Sequence, residues 1–428
     1  MMTAQTFASW KRRLVGSAAV LSVAALTSAV VADDWTQYRG PKSNGHSAET
    51  GIAEKFSAQP KLAWKIPVGE GFGTFAVAGD MAYLFQDRQN RETLVAYDVK
   101  NGKELWARPV DQTIVDRQGG SNPRSTPTID GDHVYVLSVN LKLACFEAKT
   151  GKQVWMRDVE AETKAPELKW GNATSPVLEG NRIYVGGGGG GQSMAAFDKK
   201  TGKAIWATGN EQPTHASPVP ATIHGVRQVI FFMQSGLVSL NAETGKPLWR
   251  TEFPFKVSTA ASPIVGTGAD ADVVYCSAGY DVGTAAFRIS KSGDHFAAKQ
   301  LYFVKQENKE GHNVHHWSTP IYHEGHIYGI FGFKDLGNAP VGCLELKTGQ
   351  FKWRTPGFGS GGGTIFVDGH ILVQGDAGKL ALIEATPAGY KEKASMKVPG
   401  EKFWSAAIVA NGKLYTRSKS EAFCYELK

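Results

Sequence analysis

No two of the four cysteines are neighbours: Cys145, Cys276, Cys343 and Cys424 are scattered along the chain. There is no CxxC and no CxxCH, which excludes a c-type haem attachment site and a thiolate zinc site. Cys145 in "LACFE", Cys343 in "VGCLE" and Cys424 in "AFCYE" occupy one slot of a repeat that elsewhere holds alanine, as in "AAFDKK". A cysteine in an alanine slot reads as a small buried hydrophobe. Because the slots belong to different repeats, no disulfide is expected. Ala/Leu/Glu/Lys runs at helical period are scarce, whereas glycine is abundant at 49 residues, a balance that favours short strands and many turns. Basic runs are also missing. The formal charge is only +7 and includes Lys11, Arg12 and Arg13 near the N-terminus, so no phosphate track and no nucleic-acid partner are expected.

The long apolar stretch is confined to the first 32 residues. "WKRRL" supplies a positive segment, "VGSAAVLSVAALTSAVV" an apolar one, and "VVA" small residues before a cleavage point after Ala32. This is the pattern of a removable export signal. The Ala, Ser and Val content argues against the alternative of a spanning anchor. With no cysteine at the new N-terminus, no lipid anchor is expected there. The reading is a periplasmic or secreted chain with no transmembrane segment after removal of residues 1–32. Arg12 and Arg13 leave the general and twin-arginine routes both open.

What the sequence has instead is repetition. "NGKELW", "TGKQVW", "TGKAIW", "TGKPLW" and "TGQFKW" carry Gly102, Gly151, Gly202, Gly245 and Gly349. With decayed copies at "KSGDHFAAKQLYF" and "PAGYKEKASMKV", the spacing is roughly 40–50 residues, the period of propeller blades. Each repeat has four strand-like pieces. The glycine suits a hairpin turn between the third and fourth, and the tryptophan is a plate to pack on the next blade. The motif is therefore architecture, not a ligand signature. First strands begin near Phe75, Pro127, Pro176, Pro218, Pro263, Pro320, Ile365 and Ala407, giving eight. The last repeat lacks its outer strand, and "KLAWKIPV" at 61–68 is an outer strand without its first three. The expectation is an all-β fold: one eight-bladed propeller of four-stranded antiparallel blades over 61–428, closed by that N-terminal outer strand, preceded by a leader at 33–60. A monomer is expected. Closure removes sheet edges that would otherwise invite aggregation.

"AAFDKKTGKAIW" resembles the blade signature of the PQQ-repeat (pyrroloquinoline quinone) propellers, over nearly all of 60–428. "DWTQYRGPKSNGHS" at 34–47 is similar to the leader of secreted bacterial members. The resemblance implies two very different precedents, the quinone-dependent alcohol and sugar dehydrogenases and the non-catalytic outer-membrane assembly lipoprotein BamB. The fold does not choose between them. Against the dehydrogenases, no adjacent cysteines and no recognisable Glu/Asn/Asp calcium set are present. Against the lipoprotein, the lipid-accepting cysteine is missing.

Loops from each outer strand to the next inner strand crowd one mouth of a propeller channel, so the residues before the inner strands are the candidates. They are Phe72, Arg124, Trp170, Asn172, His215, Trp317 and Trp404. Of the ten tryptophans after residue 32, Trp170, Trp317 and Trp404 are those that fill neither an outer-strand slot nor the leader. Such a set either plugs a wide channel or forms an aromatic, cationic pocket for a planar, anionic or sugar ligand. His215 and His315 are the candidate catalytic bases, with the ordinary imidazole range near neutrality. "GHNVHHW" places His312, His315 and His316 close enough to share a metal, and the bland reading is a polar loop. "VGGGGGGQS" lacks the Lys-Ser/Thr of a phosphate loop and reads as a hairpin that admits another segment closely. "QDRQNRET" and "FKDLGNAP", between second and third strands, are where specificity would reside.

The function expected from these residues is non-catalytic binding or scaffolding in the periplasm or cell envelope, with envelope proteins or a small planar or sugar ligand as partner. One alternative is a dehydrogenase holding pyrroloquinoline quinone with Ca²⁺, in which Trp317 or Trp404 stacks on the cofactor and Arg124 meets its carboxylates. The other is a carbohydrate-binding or polysaccharide-acting propeller.

Overall fold

The computed structural model describes residues 33–116, 120–121 and 123–427. The expected export signal lies outside the described residues. Eight four-stranded antiparallel sheets follow one another around a central channel. Blade 1 runs through Ala76–Ala78, Met81–Arg88, Arg91–Asp98 and Glu104–Gln112. The inner strands of blades 2 to 7 are Thr128–Asp130, Val177–Glu179, Val219–Ile223, Ile264–Val265, Ile321–His323 and Gly363–Val367. Blade 8 takes three strands from the C-terminus, Ile408–Ala410, Lys413–Arg417 and Glu421–Glu426. Its fourth, Lys61–Pro67, pairs antiparallel with the last of them. The expected closure is therefore present.

The repeat works as a wedge between blades. Outer-strand tryptophans stand opposite a small residue on the third strand: Trp106 faces Ala96, Trp155 faces Cys145, Trp206 faces Ala196, Trp353 faces Cys343 and Trp64 faces Cys424. That explains three of the cysteines; all four are buried and unbridged. Each indole also reaches the next blade. Trp64, Trp106, Trp155 and Trp206 donate Nε1–H to the carbonyls of Val99, Ala148, Lys199 and Ala242. The next blade's turn glycine lies flat on the ring. A Cβ on Gly151 would stand 2.6 Å from Trp106, and the residue's φ of +65 already disfavours a side chain. The glycine thus serves both the turn and the contact.

Blade 5 departs from this pattern. Its third and fourth strands form a long hairpin, Gly283–Ser292 and His295–Lys305, without the turn motif. Trp249 on blade 4 accordingly donates within its own blade, to Gln228 Oε1. Tyr302 fills the tryptophan slot opposite Ala286 and receives Gly349.

A second bond network rings the channel. The residue before the inner-strand proline is a hydroxyl residue in five repeats: Thr126, Ser175, Ser217, Ser262 and Thr319. Thr74 N–H donates to Thr126 Oγ1, Thr126 N–H to Ser175 Oγ, Ser175 N–H to Ser217 Oγ and Ser262 N–H to Thr319 Oγ1. Proline cannot donate, so these side chains supply the blade-to-blade bonds at the axis.

The leader crosses the end of the channel opposite the loops that join successive blades. Trp35 bridges Val77 of blade 1. Ile129 of blade 2 donates its N–H to Thr36 O, and Leu178 of blade 3 to Gln37 Oε1. Tyr38 Oη meets Thr319 Oγ1, and Gly45 and Ser47 exchange backbone bonds with Phe366. Gly45 permits the close approach, because a Cβ there would come within 2.3 Å of Ile321. A short helix, Ile52–Ser57, then leads into the closing strand.

Candidate functional site at the channel mouth

The loops between blades enclose a cavity of ≈ 520 Å³, within the size range of small-molecule sites. Six of the seven candidates line it: Phe72, Arg124, Trp170, His215, Trp317 and Trp404. Asn172 does not. Its amide bonds Ser138 O and Thr174 O, and its Oδ1 accepts from Thr174. It is a loop brace, as a short amide preceding a turn commonly is.

The aromatic residues form a continuous arc. Ring centroids are 5.1 Å apart for Phe72 and Trp404, 5.3 Å for Trp404 and Trp317, and 4.4 Å for Trp317 and His316. The arc continues through His316 to Tyr280 at 5.2 Å, Tyr280 to Trp170 at 6.3 Å, and Trp170 to His215 at 6.0 Å. Gly361 lets the arc close up, since a Cβ would lie 2.5 Å from Trp404, and its carbonyl accepts Trp317 Nε1–H. Lysines stand over the outer rings: Lys169 over Trp170 at 4.6 Å, Lys334 over Tyr280 at 5.0 Å and Lys402 over Trp404 at 5.2 Å. Trp170, Tyr280, Lys334 and Lys402 all have left-handed backbone, with φ of 68, 59, 56 and 55. That conformation costs a non-glycine residue roughly 1 kcal/mol, and it also occurs in turns away from the mouth, as at Gln89 and Asn90.

The candidate bases are placed differently from each other. His215 Nε2 bonds Lys169 O and its Nδ1 meets Ser258 Oγ, so both nitrogens are engaged within the protein. Burial holds its pKa down to about 4. His315 is fully buried, bonds Ile330 O through Nδ1 and packs on Phe331 at 4.2 Å. It does not line the cavity, and burial takes its pKa down to about 3. His316 does line the cavity, with Nδ1 unpartnered. Burial, then the charge of Lys334 and the neighbouring His215, lowers its pKa to about 3. His312 is turned to Asp335, 2.6 Å away. The three histidines thus point to separate surroundings, and among the described residues no group of three His, Cys, Asp or Glu could hold a metal.

The loops between second and third strands add Tyr280, Lys334 and Leu336 to the lining. The last two belong to "FKDLGNAP", whereas no residue of "QDRQNRET" reaches it. The glycine run is used elsewhere. Gly189 donates to Thr163 Oγ1, and a Cβ on it would meet Lys164 O at 2.3 Å, so the run seats the helix Val159–Thr163. The floor comes from the leader, as Trp35, Tyr38, Arg39 and Gly45. Repeat spacing offers no means of placing a segment from the opposite face here.

A pyrroloquinoline quinone with Ca²⁺ fits this lining poorly. Calcium takes six to eight oxygen ligands, carboxylates prominent among them. The only carboxylate of the described lining is Asp116, and Asn172 is occupied by its own loop.

The fold and cavity define a PQQ-like repeat propeller. Residues 90–355 match the family described as outer membrane protein assembly factor BamB, and the chain belongs to that family. No curated protein sequence matches it. Among solved structures, BamB from Moraxella catarrhalis superposes with a TM-score of 0.57 at 14% identity, covering 86% of this chain and 97% of that one. Quinohemoprotein alcohol dehydrogenase ADHIIG from Pseudomonas putida HK5 gives 0.67 at 13%, covering 92% and 80%. That from Comamonas testosteroni gives 0.64 at 12%, with the same coverage. At these identities the likeness is one of fold. Among the described residues no helix is long and apolar enough to cross a membrane.

Proposed function

We propose that this chain is an exported, non-catalytic binding protein of the periplasm or cell envelope that holds a partner molecule in its channel mouth. The observation that carries the reading is the arc from Phe72 to His215, built by loops of several blades on partly strained backbone around one cavity. Plugging alone would not require lysines to stand over Trp170, Tyr280 and Trp404. Family membership adds support, because the family takes its description from an assembly factor. Neither histidine singled out as a base is poised for the catalytic alternative: His215 is bonded on both nitrogens and His315 lies outside the lining.

The test is a titration of the purified exported protein with pyrroloquinoline quinone plus Ca²⁺, followed by tryptophan fluorescence and by dye-linked oxidation of alcohols and sugars. Quenching without turnover, or no response, is the expected outcome. Saturable quenching together with turnover would overturn the reading.

A further inference from the structure

The floor of the cavity contains a buried cation without a counter-charge. Arg39 is 7% exposed. Its Nη1 donates to Thr319 O and its Nη2 to Asn44 O, while Nε has no partner. Among the described residues no carboxylate makes an ion pair with it. A guanidinium stays charged at any working pH, and burying it unpaired costs several kcal/mol unless an anion joins it. The residue is on the leader, where its two bonds run to backbone carbonyls that a neutral donor would also satisfy. Its charge is thus surplus to the plug.

Three further features of the cavity bear on what that anion is attached to. Adjacent rings of the arc are inclined to one another, by 32° for Phe72 and Trp404 and 44° for Trp317 and Trp404. Inclined plates make a bowl. A rigid flat molecule can lie on one plate only, whereas linked pyranose rings present C–H faces in several directions. The wall below the rings is a band of hydroxyls, including Ser217, Ser258, Ser318, Thr364 and Ser405. His316 Nδ1, on a side chain only 5% exposed, is without a partner beside them. At the rim, Lys169, Lys334 and Lys402 hold positive charge over the aromatic faces, and among the described residues none is ion-paired with a carboxylate.

We infer that the mouth binds an acidic saccharide, its anionic group directed to Arg39 and its rings resting on Trp317 and Trp404. This rests on the binding reading above and goes further by assigning the ligand class and a recognition residue contributed by the leader. A carboxylate or sulfate offers guanidinium the paired acceptors it matches best, aromatic plates supply the C–H contact, and the lysine rim draws a polyanion toward the mouth.

The experiment is calorimetric titration of the exported protein with trigalacturonate, neutral galactotriose, a sulfated galactotriose and 2-naphthoate. Either acidic sugar should bind at least tenfold more tightly than galactotriose and more tightly than naphthoate; which of the two is preferred identifies the anion. Arg39→Gln should cost the acidic sugar tenfold or more while leaving galactotriose unchanged. If that variant does not fold, Arg39→Lys, which can still donate to Thr319 O, should cost fivefold or more. Equal binding of acidic and neutral sugars, tighter binding of naphthoate, no sugar binding, or indifference to both Arg39 variants would overturn the inference. None of those outcomes involves turnover, so the binding reading stands or falls separately on the dye-linked assay.

Discussion

The molecule uses tryptophan in two ways, and the contrast separates scaffold from site. Around the circumference, Trp64, Trp106, Trp155 and Trp206 recur at the blade period, face a small residue, and give their N–H to the next blade's carbonyl. At the mouth, Trp170, Trp317 and Trp404 follow no repeat and lean on one another's neighbours around an open volume. Tyr302 takes the same slot in blade 5, and in blade 7 Ala394 stands there opposite Leu382. The second set has partly exposed faces and lysines above them. Recurrence marks what the blades share, and departure from recurrence marks where the ring has a single, unrepeated surface.

The most severe way to break the circumference is to remove its closing piece. Deleting residues 33–67 takes away both the floor and the outer strand of blade 8, leaving the edge Glu421–Glu426 unpaired. Insoluble or unfolded protein is expected in expression and circular dichroism assays, and a truncation that melted like the parent would refute the closure. A gentler pair of variants compares the two tryptophan sets directly. Trp106→Ala should lower unfolding free energy by about 3–5 kcal/mol, the usual cost of a buried indole, with loss of the bond to Ala148. Trp404→Ala should cost about 1 kcal/mol or less yet abolish most fluorescence response to ligand. Equal destabilisation in denaturant melts would erase the distinction.

The smallest effect concerns charge near the mouth. Burial pushes the Glu92 carboxyl up to about 8, against the hydrogen bond it accepts from Val139 N–H. With a folded pKa above the unfolded 4.5, its favourable contribution is complete below pH 4.5 and is lost as pH rises through 8. Glu92→Gln should therefore flatten the fall in melting temperature over that window. An unchanged slope would show that the carboxyl is not protonated in the native state.

The ring was legible because its signals are local and recur: a turn glycine, a small residue and a tryptophan at fixed offsets, multiplied by the blade count. Even the interrupted copy at blade 5 kept Tyr302 in place. The mouth was half legible. Phe72, Arg124, Trp170, His215, Trp317 and Trp404 converge because each stands in a loop shortly before an inner strand, and loop position alone brings them together. Asn172 shares that position but spends its amide on Ser138 and Thr174, a choice of rotamer and turn that spacing does not encode. His315 is two residues from Trp317, yet it turns into the blade interior against Phe331. Arg39 and Trp35 were out of reach because they come to the cavity through the channel from its far end. One signal was available and unused: the hydroxyl residue before proline in five repeats announces the collar that lines the axis.

Blade 8 gives the molecule a sense of time. Lys61 lies opposite Glu426, so the strand that completes the circle emerges early in synthesis and must wait for the final segment before it has a partner. The stretch that closes the circle is continuous with the one that floors the mouth, so one short segment near the start of the described chain sets both.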